Sequence, residues 1–222
     1  LDVKGVGDVV ACDVLGRDEK WRNIAKRELA YIVAPEALLD FLRANRYAIE
    51  GIFHLGAISS TTETDADLVI EQNFRFSLAL WDWCAEAGVP FIYASSAATY
   101  GDGAQGFDDN NDLADFARLR PLNVYGWSKH LFDRRVVRLA ASGAATPPHW
   151  AGLKFFNVYG PNEYHKGGQR SVVPQIHEQV IAKARARLFK SHHPDYPDGG
   201  QKRDFIWVGD CVDVMLWLAD QP

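Results

Sequence analysis

The sequence has 222 residues, 47% hydrophobic and 24% charged, enough for a sizeable core in one domain with a small annex. A net charge of −5 and a pI near 5.8 leave no basic footprint, so nucleic acid is not an expected partner. No apolar run reaches the ~18 residues of a membrane span, and no signal-peptide pattern opens the chain, so no membrane association is expected.

The chain opens on Leu1 and is in an apolar strand soon after Asp8, which suggests a fragment or partly resolved protein. The run Asp8 to Asp13 reads as that strand, and Pro35 to Arg46 carries helical spacing at Leu38, Leu39 and Leu42. Gly51 to Ala57 is a second buried strand, followed by an apolar-periodic helix from Ala66 to Ala87 that stops at Gly88. Val89 to Ala94 predicts a third strand, Leu122 to Ala141 a helix and Gly152 to Asn157 a fourth strand. Beyond Gly160-Pro161 come a polar loop to Arg170, a helix near Val172–Ala186 and a Pro/Gly/His-rich insertion from Ser191 to Gln201. A strand at Asp204–Val208 and a helix from Asp210 close the pattern, which stops soon after Leu218.

Continuous apolar strands alternating with amphipathic helices predict an α/β fold, a doubly wound parallel sheet of Rossmann-like type. The expected division is a dinucleotide-binding domain over 1–160, a substrate-binding region over 161–203, and a returning strand and helix over 204–222. Cys12, Cys84 and Cys211 form no CxxC pair and stand in apolar surroundings. They read as reduced core thiols of a cytoplasmic protein, with no metal site expected.

Ligands of such sheets bind beyond the carboxyl ends of the strands, so the residues just after each strand carry the functional reading. Asp13 could accept hydrogen bonds from an adenosine ribose, or could simply end its strand in a turn. Gly56-Ala57-Ile58-Ser59-Ser60 are small enough for a cofactor to approach the backbone, or for a tight turn. Ser95 and Ser96 place hydroxyls at a strand end with no neighbour in sequence to activate them, so hydrogen bonding is expected rather than nucleophilic attack. Tyr125 and Lys129 stand four apart on one helical face, an arrangement in which an ammonium would lower the phenol pKa and suit a general base. Such a pair alone is a weak signal, but this one opens the helix one βα unit after Ser95-Ser96.

The stretches Ile52 to Glu63, Tyr93 to Gly101, Pro121 to Lys129, Phe155 to Pro161, His165-Lys166-Gly167 and Lys202 to Phe205 span nearly the whole chain. Together they resemble the extended short-chain dehydrogenase/reductases, the NAD-dependent epimerase/dehydratase family. Ser59-Ser60-Thr61-Thr62-Glu63 and His165-Lys166-Gly167 resemble its branch that acts on ADP-linked heptose. The resemblance implies a homo-oligomeric isomerase with tightly bound NADP, or NAD as the alternative, that inverts C6 of an ADP-heptose through a keto intermediate. It implies Ser96, Tyr125 and Lys129 as the hydroxyl-handling triad and Lys166 as a second acid/base group. Asp13, Lys20, Leu55, Gly56, Ala57, Ile58, Ser59, Asn73, Lys129 and Val158 would line the cofactor. Ser96, Asn157, Gly168, Gln175, Phe189 and Arg203 would face the substrate.

The chain also departs from the family. The first strand and its glycine-rich phosphate loop do not appear in it, nor does the usual C-terminal segment. Gly168 stands where relatives of this kind carry a serine, and Gln175 stands near a histidine position. Ala97-Ala98 after Ser96 replace the Asp-Glu pair of dehydratases. Another nucleotide-sugar epimerase or reductase, or a non-catalytic dinucleotide-binding protein, remain the alternative readings.

Overall fold

The computed structural model describes residues 5–192 and 194–221; residues 1–4, His193 within the insertion, and Pro222 lie outside the described residues. The chain forms two compact units, one of Leu1–Val14, Arg27–Phe155 and Met215–Pro222, the other of Leu15–Lys26 and Phe156–Val214. The breaks at 155 and 214 stand beside the expected ones at 160 and 203, and the stretch 15–26 groups with the later residues.

In the first unit, β1 (Val10–Cys12) pairs in parallel with β2 (Tyr31–Val33), Ala11 opposite Ile32. The helix α1 (Leu38–Ala44) follows a 3₁₀ turn at Pro35–Ala37, and buries Leu38 and Leu42. Next, β3 (Ile52–His54) leads to α2 (Ala66–Ile70), capped by the Asp65 carboxylate, which accepts from the Leu68 N–H at 2.9 Å. The expected single helix over 66–87 is interrupted. A π-helical turn at Glu71–Arg75 separates α2 from α3 (Phe76–Ala87).

Then come β4 (Phe91–Ser96), a 3₁₀ turn at Ala97–Tyr100, α4 (Leu113–Arg118), α5 (Val124–Ala141) and β5 (Trp150–Phe155). The order β3-β4-β5 is parallel throughout, with Phe53 opposite Ile92 and Ser96 opposite Phe155. Trp81 is fully buried and meets Phe91, Phe132 and Trp150 edge-on at 6.1, 6.4 and 5.0 Å. Val33, Leu42, Cys84 and Val136 complete one core, with Val10 and Ile52 packed against it, so both sheets share an interior. Cys84 is buried and its thiol is pushed up to about 12 by that burial, as befits an inert core cysteine; all three cysteines are free.

In the second unit, β6 (Asn157–Tyr159) pairs in parallel with β7 (Phe205–Trp207). A 3₁₀ turn at Tyr164–Gln169 and α6 (Val172–Lys183) lie between them in sequence, and α7 (Val208–Ala219) follows. The earlier 3₁₀ turn at Glu19–Asn23 belongs to this unit, where Asn23 donates to the Asn162 carbonyl at 3.3 Å. Among the described residues no helix is long and apolar enough to cross a membrane.

Candidate active site

Ser96 ends β4 and turns its hydroxyl into the first bond of the following 3₁₀ turn, accepting from the Ala98 N–H at 3.1 Å. Asn123 caps α5 by accepting from the Gly126 N–H at 2.8 Å, so Tyr125 falls in that helix's first turn. A Cβ at Gly126 would stand 2.7 Å from the Ala98 carbonyl oxygen. Only glycine lets the start of α5 press against the turn after Ser96. That approach brings the Tyr125 phenol to a hydrogen bond with the Ser96 hydroxyl.

Lys129 lies one turn further on, 4% exposed, and its ammonium donates to the Ala94 carbonyl at 2.8 Å. Burial lowers its pKa to about 8, against the opposing pull of Asp133. The Tyr125 pKa is raised, first by burial and also by Asp133, and the Ser96 bond offsets only part of this. This corrects the expectation from spacing. An ammonium four residues away lowers a phenol pKa only if its charge faces the oxygen, and here it is committed to a main-chain carbonyl.

Beneath these residues lies a cluster that the sequence reading missed. Asp133, 4% exposed and one turn beyond Lys129, accepts from the Tyr93 hydroxyl at 3.0 Å, the Ser95 hydroxyl at 2.6 Å and the Lys154 ammonium at 2.8 Å. Lys154 also donates to the Thr99 hydroxyl at 2.8 Å, and Thr99 to the Ser96 carbonyl at 2.8 Å. One carboxylate thus fastens α5 to β4, β5 and the turn after Ser96. Four side chains separated by up to 61 positions converge there, and only the single buried charge at Lys154 in a strand pattern signalled it in sequence.

The loop after β3 exposes Leu55, Gly56, Ala57 and Ser59, and the space where a Gly56 side chain would stand is open. Asn73, in the π-helical turn, holds this loop. Its amide oxygen accepts from the Ile58 N–H at 2.8 Å, and its amide donates to the Ile58 carbonyl at 2.9 Å and the Ser128 hydroxyl at 3.1 Å. Ser128 donates in turn to the Tyr125 carbonyl at 2.7 Å. Asn73 is wholly buried and supports the backbone of the loop expected to line the cofactor. Neighbouring strand ends that present open small residues, a buried lysine and a serine–tyrosine pair fit a dinucleotide laid across them.

Asp13 ends β1, exposed, with its carboxylate accepting from the Val14 N–H at 2.8 Å. Lys20 lies in the second unit, in the 3₁₀ turn capped by Asp18. Lys166 is exposed in the Tyr164–Gln169 turn, and Gly168 follows it with open space around its Cα. The Asn157 amide donates to the Asp204 carbonyl at 2.9 Å and the Gln175 amide to the Arg170 carbonyl at 2.7 Å, so both are engaged in holding backbone. Val158 is half-buried within β6, while Phe189 and Arg203 are exposed. Ser96, Tyr125 and Lys129 are therefore assembled in the first unit, and Val158, Lys166 and the remaining substrate candidates belong to the second.

Parallel strands with flanking helices, and with Ser96, Tyr125 and Lys129 at the strand ends of the first unit, make up a Rossmann-like fold. The sequence agrees: over residues 1–222 it matches the NAD dependent epimerase/dehydratase family, and the chain belongs to that family. Among its relatives, an ADP-L-glycero-D-manno-heptose-6-epimerase from Nitratidesulfovibrio vulgaris strain DP4 is 47% identical over 224 residues, matching 100% of this chain and 67% of that protein. One of the same name from Fusobacterium nucleatum is 43% identical across 98% of this chain and 65% of its own length. The crystal structure of the Helicobacter pylori ADP-L-glycero-D-manno-heptose-6-epimerase superposes with a TM-score of 0.73 at 27% identity, covering 96% of this chain and 64% of that one. The chain thus spans about two thirds of the length of these relatives.

Proposed function

We propose that the protein is an isomerase that converts ADP-D-glycero-D-manno-heptose to the L-glycero epimer by inverting C6, with NADP as its resident cofactor. The observation that carries this is the Ser96–Tyr125 hydroxyl pair beside buried Lys129 at the strand ends, in a chain 47% identical to an enzyme of that name.

The bound nicotinamide supplies a hydride acceptor that returns the hydride, so no net oxidation occurs. Tyr125 in its phenolate form, which the Ser96 hydrogen bond favours, takes the C6 hydroxyl proton, and Ser96 holds the oxygen by hydrogen bonding. Lys129 keeps two N–H donors beyond the one given to Ala94, and these would serve a ribose hydroxyl. Burial has already brought its pKa near 8, so the ammonium is stabilised by the anionic partners a ligand brings. Inversion requires the ketone to turn its other face to the same nicotinamide, which moves the oxygen away from Tyr125. A second proton donor must then lie within hydrogen-bond reach, about 2.6–3.2 Å. Lys166 is assigned that role. For the cofactor phosphate, Lys20 supports NADP while Asp13 supports an unphosphorylated ribose, and the heptose-epimerase resemblance adds weight to NADP.

Proton NMR of ADP-heptose incubated with the full-length protein tests the assignment by reading the C6 configuration directly. Tyr125→Phe should retain nicotinamide and lose at least about 10²-fold in rate, the lower end for a removed acid/base group. A parental protein that holds cofactor yet leaves C6 unchanged would refute the reading.

A further inference from the structure

Glu163 immediately precedes the turn that carries Lys166, and it is 8% exposed. One carboxylate oxygen accepts from the Gly160 N–H at 3.1 Å and the Ser171 hydroxyl at 2.8 Å; the other accepts from the Ser171 N–H at 2.7 Å. A single side chain therefore joins residues 160 and 171, the two ends of the segment in which Lys166 is central. Among the described residues Glu163 forms no salt bridge, so its direct partners are these donors. Burial pushes the Glu163 pKa up, but the Ser171 and Gly160 donors and the Lys166 ammonium outweigh it and hold the carboxyl below its usual value.

The rest of the segment needs such a fastening. After Lys166 the backbone passes through Gly167, at φ 52° and ψ −124°, and then Gly168, and neither has an atom within 4 Å of the position a Cβ would take. Glycines in open space impose no order of their own. The Lys166 N–H donates to the Glu163 carbonyl at 3.0 Å, and Asn23 contacts the Asn162 carbonyl and the His165 ring at 3.3 and 3.4 Å. Beyond Lys166 the main-chain bond inside the segment is the long one from the Arg170 N–H to the Gly167 carbonyl at 3.4 Å, so the shorter fastenings lie before Lys166 and at the two ends.

We propose that Glu163 is a positioning residue for Lys166: by closing the 160–171 segment through three donors, it fixes where the Lys166 ammonium can reach. This rests on the acid/base reading of Lys166. Glutamine is isosteric but presents N–H groups in place of one carboxylate oxygen, so with its carbonyl kept on the Gly160 N–H and the Ser171 hydroxyl it leaves the Ser171 N–H without an acceptor. A displacement of about 1 Å in a catalytic group can cost 10²-fold in rate.

The test compares Glu163→Gln, Lys166→Met and the double variant in the full-length holoprotein, reading C6 inversion, transient nicotinamide reduction by substrate, bound-nicotinamide content and amide exchange at Gly160 and Ser171. Glu163→Gln should lower inversion by about 10²-fold, speed exchange at the Ser171 amide more than at Gly160, and leave transient reduction and nicotinamide content intact, as Lys166→Met does. The double variant should be no slower than Lys166→Met alone, since both changes remove one function. Parental inversion in Glu163→Gln beside an inactive Lys166→Met overturns the clamp and spares the Lys166 reading. Parental inversion in Lys166→Met sinks that reading, and the clamp with it. Equal loss of reduction and inversion in Glu163→Gln, additive with Lys166→Met, marks a merely structural residue and also overturns the proposal. Should Glu163→Gln not fold, Ser171→Ala removes only the hydroxyl donor and must show a smaller loss confined to inversion; parental inversion there counts against the clamp.

Discussion

Two carboxylates each hold a lysine-bearing part of this protein, and they do it by opposite means. Asp133 collects three side chains from β4 and β5, one of them the Lys154 ammonium, inside the first unit. Glu163 collects two backbone N–H groups and one hydroxyl within a single short segment of the second unit. The first binds distant pieces of chain to one another and so should be paid in global stability. The second constrains a local segment, and its loss should be felt in geometry before it is felt in unfolding.

The comparison is broken most directly at Asp133. Asp133→Asn leaves Lys154 charged and under-partnered, and thermal or denaturant unfolding should show a loss of about 3–5 kcal/mol. Adding Lys154→Met should recover much of it, because removing both charges leaves nothing buried and unpaired. A double variant as unstable as the single one would show that the ion pair is not the source.

A pH titration of stability separates the two units next. His54 and His130 are buried, and burial first, then nearby cations such as Lys129 for His54 and Lys154 for His130, lowers their pKa values to about 3 and about 4 from 6.5. The unfolded chain binds protons there that the folded chain refuses. Their contribution is full above pH 6.5 and is lost as pH falls through 6.5 toward 4 and 3, by at most about 1.4 kcal/mol per pH unit for each ring. Glu163, with a folded pKa below 4.5, contributes stability above that value and loses it only as pH falls further. The unfolding midpoint should therefore begin to drop at mildly acidic pH, and His54→Gln should flatten that drop. An unchanged slope in His54→Gln would remove His54 from the account.

The smallest effect belongs to the loop. Glu163→Gln should cost about 1–3 kcal/mol, the range for buried donors left unsatisfied, and Ser171→Ala about 1 kcal/mol. If calorimetry gave Glu163→Gln a loss as large as Asp133→Asn, the contrast between global and local fastening would fail.

The strand ends, and with them Ser96, Tyr125 and Lys129, are legible in the sequence because apolar runs and helical spacing fix the βαβ order and the motif falls at a predictable place in it. β2 escapes notice because Tyr31-Ile32-Val33 is only three residues long, with two of them exposed. Direction is also invisible: the spacing of Tyr125 and Lys129 places both on α5 but does not reveal that the ammonium turns to Ala94. Polar partners far apart in sequence, such as Asp133 with Ser95 and Lys154, carry no local pattern at all. The segment around Lys166 looks flexible from its glycines, and only the Glu163-to-Ser171 bonds show that its ends are tied.

The π-helical turn at Glu71–Arg75 has a consequence for anyone who would edit this chain. Such a turn accommodates one more residue than an α-helical turn, and each residue of an α-helix advances the face by about 100°. Deleting one residue there would let α2 and α3 anneal into an unbroken α-helix of better local geometry. It would also rotate α2 and Asn73 against the α3 face that packs Trp81 in the core, swinging the amide off Ile58 and Ser128. A homologue one residue shorter in this turn would have to hold its β3 loop by some other side chain, so the length of this segment in an alignment reports how the loop is held.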